Sequence, residues 1–274
     1  MLPVVAPSSG DSDSQLLICS RPAPGVIQIA LNQPRRRNAL TEQVAQVLRQ
    51  ELARVAADPS ARALVLTGAG SAFCAGADLG SLGAEAATPA AKRKVLADYY
   101  RAFLDLRDLS IPTVAAVNGP AIGAGLNLAL CCDLRVVGDD ARLAAPFVKL
   151  GIHPGGGATW MLTRVIGPAA ARELLLLGQP IGAERAVQLG LANRMVPAAE
   201  LQAAALEWAT ALAALPSPLL RNLKHTLAMA EAGASLDAVL AFETEAQASS
   251  LASADAREGW AALREHRPPQ FHDR

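Results

Sequence analysis

The apolar positions along the chain change period several times, and each change marks an expected element. Val26-Ile27-Gln28-Ile29-Ala30-Leu31 is rich in β-branched residues and predicts a strand. A polar turn follows at 32–38, with Pro34 and three consecutive arginines. Beyond it Val44, Val47, Leu48, Leu52 and Val55 recur at helical spacing behind a Thr41 cap, and Pro59 ends that helix. Ala63 to Thr67 is a short apolar run of the buried-strand type, followed by a glycine-rich loop to Gly83. The cycle repeats with a strand at Thr113 to Val117, a turn at Asn118 to Gly125, a helix at Leu126 to Cys132 and a strand at Leu134 to Val137. Alternating strands and helices with glycine turns predict an α/β domain with right-handed crossovers. From Ala169 onward the pattern is helical, and Pro216 and Pro218 break it. The expected organisation is a flexible leader at 1–14, a core at 15–215 and a C-terminal helical region at 216–274.

Composition narrows the function classes. In 274 residues, 25 basic side chains balance 25 acidic ones, so no positive surplus exists to neutralise phosphates and a nucleic-acid partner is not expected. No apolar run reaches the roughly 18 residues needed to span a bilayer, so no membrane partner is expected either. Cys19, Cys74, Cys131 and Cys132 lack metal or disulfide spacing and read as reduced thiols. The first residues lack the pattern of a signal peptide, which predicts a cytoplasmic protein. Dinucleotide, phosphate-loop, nucleophile-elbow and zinc-protease motifs are absent, and no metal is expected.

Two segments share a chemical logic. Phe73-Cys74-Ala75-Gly76-Ala77-Asp78-Leu79 and Ala115-Ala116-Val117-Asn118-Gly119-Pro120-Ala121-Ile122-Gly123-Ala124-Gly125-Leu126 each place small residues on a turn after a strand. Each leaves a backbone N–H free to meet a ligand, the second at a helix N-terminus. Two such donors converging on one oxygen make an oxyanion hole. Tight packing turns are the structural alternative.

These segments resemble the crotonase superfamily, the enoyl-CoA hydratase/isomerase family. So do Leu31-Asn32 with Pro34 and Asn38-Ala39-Leu40, Leu177-Gly178 with Pro180-Ile181 and Ala183, Gly190-Leu191-Ala192-Asn193, and the tail residues Ser253, Asp255, Glu258-Gly259, Glu265, Arg267-Pro268 and Phe271. The resemblance implies an α/β spiral of ββα units with a C-terminal helical trimerisation region, assembling as a homo-trimer or hexamer. It implies a CoA thioester as ligand, with no cofactor beyond the CoA that enters as part of the substrate. The donors would be the backbone N–H groups of Ala77 and Ala124.

Hydratases of this family use two glutamates, and the matching positions here hold Asn127 and Phe147. Adding water needs groups that take and give protons, each worth roughly 10²–10⁴ in rate. An amide orients a water without titrating, and a phenyl ring makes that wall apolar. Weak or absent hydration is therefore expected. His153, six residues past Phe147, is the candidate proton carrier, with capping of the Pro154-Gly155 turn as its alternative. Tyr99 and Tyr100 are further candidates, and Asp78 and Asp133 read as capping residues. The resemblance places CoA contacts at Arg36, Arg37, Ala39, Ala75, Asp78, Leu79 and Gly123, and at His266 in the tail beside Arg264 and Arg267. The leading reading is an enzyme that stabilises an enolate of an acyl- or enoyl-CoA. The rival is a non-catalytic acyl-CoA binder; a peptidase lacks a Ser–His pair near the hole. Residues 81–107 would set acyl length.

Overall fold

Side chains along a strand alternate between faces, and in this chain both faces are apolar, so the sheet must be covered on each side. The computed structural model describes residues 15–78, 82 and 88–273; the leader expected at 1–14 and Leu79 lie outside them. In chain order the elements are β1 (Leu17–Ala23), β2 (Val26–Leu31), α1 (Glu42–Ala57), β3 (Ala63–Gly68), α2 (Pro89–Leu104), β4 (Thr113–Val117), β5 (Ala121–Ile122), α3 (Ala124–Leu130), β6 (Leu134–Gly138) and β7 (Arg142–Ala144). They continue as α4 (Ala158–Leu177), β8 (Ile181–Gly182), α5 (Ala183–Gln188), β9 (Arg194–Val196), α6 (Leu201–Ala213), α7 (Ser217–Glu231), α8 (Leu236–Leu251) and α9 (Ala254–Glu265). The large sheet runs β1-β2-β3-β4-β6-β9, parallel except for the β1/β2 hairpin, and β5-β7-β8 form a small second sheet.

The pleat sorts the core. Ile27, Ile29, Leu31, Leu64, Leu66, Ala115 and Val117 join the layer that holds α1 and α3. Val26, Ala63, Val65, Val114, Ala116 and Val136 face α6. Helix α1 starts where the Val44 N–H donates to Thr41 Oγ1 at 3.1 Å, a cap worth about 1 kcal/mol. It buries Val44, Ala45, Leu48, Leu52 and Val55. Full burial of the valine and leucine side chains among them contributes roughly 1.5–3 kcal/mol each.

Three expectations are corrected. The helix expected at Leu126–Cys132 runs from Ala124 to Leu130, because Gly123 already turns the chain into the first helical position. The helical stretch expected from Ala169 begins at Ala158 and is broken at Gly167, which precedes Pro168 and has φ of 72°. That stretch also contains the short strands β8 and β9, which pair with β7 and β6. The strand β1 escapes the apolar pattern because it is an edge strand in which Leu17 alone is buried.

The C-terminal helices are tied to the core by charge. Lys224 on α7 donates to Ile111 O (2.9 Å) and to Asp133 Oδ2 (2.7 Å). Asp133 also accepts from the Thr113 N–H and hydroxyl at 2.8 and 2.9 Å, so it caps a strand start as its sequence position suggests. Arg62 donates to Ala213 O and Leu215 O and pairs with Asp273, which accepts the Ser217 N–H at the start of α7. No residue of α8 is buried. Among the described residues no single helix is long and apolar enough to cross a membrane.

The tail carries a pH-dependent clasp. Arg267 grips both Glu258 oxygens at 2.5 and 2.9 Å, and the Gln270 N–H donates to Glu258 at 2.8 Å. The hydrogen bonds from Arg267, then that from Gln270, pull the Glu258 carboxyl from 4.5 to about 2. A depressed folded value means the clasp is fully formed above the ordinary pKa and is lost as pH falls through the folded one. The Gln270 amide resonance is therefore expected to titrate with a midpoint nearer pH 2 than 4.5. In Glu258→Gln that titration should vanish; a midpoint near 4.5 in the unaltered protein would contradict the clasp.

Candidate functional site

Three backbone ladders bring the two small-residue segments together. The Leu40 N–H donates to Gly76 O at 2.8 Å and the Asp78 N–H to Leu40 O at 3.2 Å, a parallel bridge that places Ala77 between them. The Cys74 N–H donates to Pro120 O, and the Ile122 N–H returns to Cys74 O, both at 3.0 Å. The Gly123 N–H donates to Ala144 O at 2.8 Å. The bonds at Gly76, Asp78 and Gly123 use the neighbours of Ala77 and Ala124 and leave those two amides out. Among the described residues neither the Ala77 nor the Ala124 N–H has a partner. For Ala124 this follows from its place in the first turn of α3, where N–H groups have no intrahelical acceptor.

Two glycines permit this approach. Gly76 has φ of 98°, a conformation side chains resist, and a Cβ there would stand 2.6 Å from Ile122 O and 3.6 Å from Ala124 N. Gly125 has no room for one: its Cβ would run into the Cys74 carbonyl oxygen, with the Cys74 carbonyl carbon and Cβ each 2.8 Å away. The loop and the helix start are thus in direct backbone contact. The Cys74 thiol lies behind this joint, where burial raises its pKa to about 12 and keeps it protonated. Tyr99, 4% exposed, donates to Leu40 O at 3.1 Å and braces the strand that orients Ala77. Burial raises its phenol pKa as well.

Phe147 and Asn127 lie beside this joint, while Tyr100 and His153 lie at the Gly155 loop. Phe147 is half-buried, and its ring lies over Gly123, 3.8–3.9 Å from where a Cβ would be. Asn127 is 2% exposed, one turn beyond Ala124, and its Nδ2 donates to Gly155 O at 2.8 Å. Tyr100, half-buried on α2, packs against the Gly155 loop, its ring carbon Cζ 2.8 Å from where a Gly155 Cβ would lie; burial raises its pKa. His153 is exposed, with Nδ1 2.7 Å from Pro154 O. A carbonyl can only accept, so Nδ1 carries the proton and, in the neutral ring, Nε2 is the basic atom.

Of the expected CoA contacts, Arg36 and Asp78 meet each other in an ion pair of 2.6 Å, 42 residues apart in sequence. Arg37 is exposed in a left-handed turn (φ 50°) and its carbonyl accepts the Ala75 N–H at 2.9 Å. Half-buried Ala39 follows, its N–H donating to Arg36 O. His266 sits at the end of α9, also left-handed and exposed; among the described residues no hydrogen bond joins it to the hole segments. Sequence reasoning missed Leu40, Cys74 and Gly125 as builders of the joint. The signal for Gly125 was present, as the second glycine of Gly123-Ala124-Gly125.

A crossover sheet with two open backbone donors beside it is a framework for holding one oxygen atom. The family model described as enoyl-CoA hydratase/isomerase matches residues 22–274, and the chain belongs to that family, within the crotonase superfamily. It is 48% identical over 212 residues to the probable enoyl-CoA hydratase EchA14 of Mycobacterium tuberculosis, covering 77% of this chain and 81% of that protein. It is 40% identical to the probable enoyl-CoA hydratase echA6 of Mycobacterium bovis, over 91% of this chain and 96% of that one. The solved enoyl-CoA hydratase of Bacillus anthracis superposes with a TM-score of 0.89 at 31% identity, over 95% of this chain and all of that one.

Proposed function

We propose that the protein is an enzyme acting on an acyl- or enoyl-CoA thioester, whose carbonyl oxygen is received by the Ala77 and Ala124 N–H groups. The observation that carries this reading is the pair of amides, without partners among the described residues, whose segments are held in backbone contact through Gly76 and Gly125. Donors fixed before the reaction stabilise charge developing on that oxygen, so an enolate forms more readily than in water. The names of the relatives support the substrate class. The reading includes a cytoplasmic location and no group beyond the CoA that enters with the substrate. It also includes a homo-trimer or hexamer built through the C-terminal helices; the exposure of α8 and of Leu236, Leu240 and Leu251 supports that part.

The chemistry differs from two-glutamate hydration. Asn127 and Phe147 stand where the family resemblance puts the glutamates, and neither transfers a proton at neutral pH. An enolate still needs a proton carrier, and His153 is the residue assigned, through Nε2. With mass spectrometric reading of deuterium uptake from heavy water, the unaltered protein should exchange the α- or γ-protons of at least one acyl- or enoyl-CoA. His153→Ala should lose that exchange by roughly 10²-fold or more while its affinity for CoA thioesters stays nearly unchanged.

The absence of a carboxylate from positions 127 and 147 also favours a second reading, a non-catalytic acyl-CoA binder. On that reading no thioester that binds exchanges its protons, and His153→Ala alters nothing.

A further inference from the structure

Between the end of β3 and the first hole segment, residues 69–72 lie in no helix or strand. Backbone carbonyls in such a stretch must find donors outside a ladder, and here two asparagine side chains supply them. Asn118 Nδ2 donates to Gly68 O at 2.7 Å and to Gly70 O at 2.9 Å. Asn38 Nδ2 donates to Ala69 O at 2.9 Å and to Ala72 O at 2.7 Å. The other end of each amide is held as well. Asn38 Oδ1 accepts the Gln33 N–H at 2.9 Å, and Asn118 Oδ1 accepts the Gly68 N–H at 3.1 Å. Neither amide can turn over without setting oxygen against oxygen. Asn38 is 1% exposed and has φ of 55°, a left-handed conformation in which asparagine is enriched.

Position supplies the second half of the argument. Asn38 lies just before Leu40, whose N–H and carbonyl bond on either side of Ala77. Asn118 follows β4 directly and opens the segment that leads to Ala124. Neighbouring glycines let both approach closely. Gly119 has φ of 139°, and a Cβ there would run into Ser71 O and lie 3.3 Å from Ala72 Cα. A Cβ on Gly68 would lie 2.6 Å from Asn38 Nδ2. Segment 68–72 is thus clamped from both sides. Two residues further on, Cys74 makes the contacts with Pro120, Ile122 and Gly125 that join the two hole segments. We propose that Asn38 and Asn118 are positioning residues for the oxyanion hole: by pinning 68–72 they set where the Ala77 amide lies relative to the Ala124 amide. The inference rests on the acyl-CoA reading of the site and adds to it the side chains that keep its two donors in register.

Asn38→Asp and Asn118→Asp keep the side-chain volume and the accepting oxygen, but each replaces the donating NH2 by an oxygen that faces two carbonyls. The readings are taken at about pH 8, where a carboxyl of ordinary pKa is ionised. Each variant should lower the maximal rate of deuterium exchange into a CoA thioester roughly 10²-fold, the scale of a 1 Å misplacement. The Kd for the thioester should stay nearly unchanged. The infrared band of bound butanoyl-CoA, labelled with carbon-13 at the carbonyl, should move in each variant toward its value in water. A role confined to folding would lower the yield of folded protein and leave that band in place. Folded variants with the band and exchange of the unaltered protein would therefore overturn the proposal. Asn38→Gly suits the left-handed turn and deletes only the amide, so it should show the same displacement where the aspartate variants do not fold. Failure of all three to fold would make the asparagines folding determinants and overturn the proposal as well. An unaltered protein whose bound thioester shows no lowered band would instead refute the acyl-CoA reading, and the proposal with it.

Discussion

Gly125→Ala is expected to lower proton exchange on a CoA thioester by roughly 10²–10³-fold, the effect of losing one preorganised donor of an oxyanion hole. The added methyl would run into the Cys74 carbonyl, with the Cys74 carbonyl carbon and Cβ each 2.8 Å away. Neither that backbone nor the start of α3 has a rotamer with which to yield. The two segments must separate, and the separation falls between Ala77 and Ala124, which belong one to each. The measurement is deuterium uptake by mass spectrometry, alongside thermal unfolding to show that the variant is folded at the assay temperature. A folded Gly125→Ala protein with unaltered exchange would mean that the Cys74–Gly125 contact does not set the hole.

Hydration of crotonyl-CoA by the unaltered protein is expected to be weak or absent. Water addition needs one group to deprotonate the water and another to protonate the α-carbon, each contributing roughly 10²–10⁴. At the two positions in question stand an amide committed to Gly155 O and a phenyl ring over Gly123. Loss of absorbance of the conjugated thioester follows the reaction directly. Placing glutamate at both positions, Asn127→Glu with Phe147→Glu, should raise the rate roughly 10²-fold or more if the new carboxylates reach the bound acyl chain. Efficient turnover of crotonyl-CoA by the unaltered protein would show that other residues supply the proton transfers.

The elements around the site were legible where local chemistry decides them. The β-branched run at Val26–Leu31 and the Thr41 cap declare a strand and a helix start without help from the rest of the chain. The edge strand β1 was not legible, since its exposed residues need no apolar period. Of the site, the small-residue turns could be read because a free amide needs an unshielded backbone. What joins them could not. The Cys74–Pro120 and Cys74–Ile122 bonds and the Leu40–Gly76 bond link positions that only the crossovers bring together. The Arg36–Asp78 pair likewise joins two residues that sequence treats as separate CoA contacts. That Asn127 Oδ1 is sealed from solvent with no hydrogen-bond partner among the described residues is a property of packing, because the same residue on a solvated helix would simply meet water.

The central claim is that the Ala77 and Ala124 amides together polarise a thioester carbonyl. Infrared difference spectroscopy of butanoyl-CoA labelled with carbon-13 at the carbonyl tests it most directly, because that stretching frequency falls as hydrogen bonds draw charge onto the oxygen. The bound-state band is expected clearly below that of the same thioester in water, returning toward the water value in Gly125→Ala. A bound thioester whose band stays at or above the water value would contradict it.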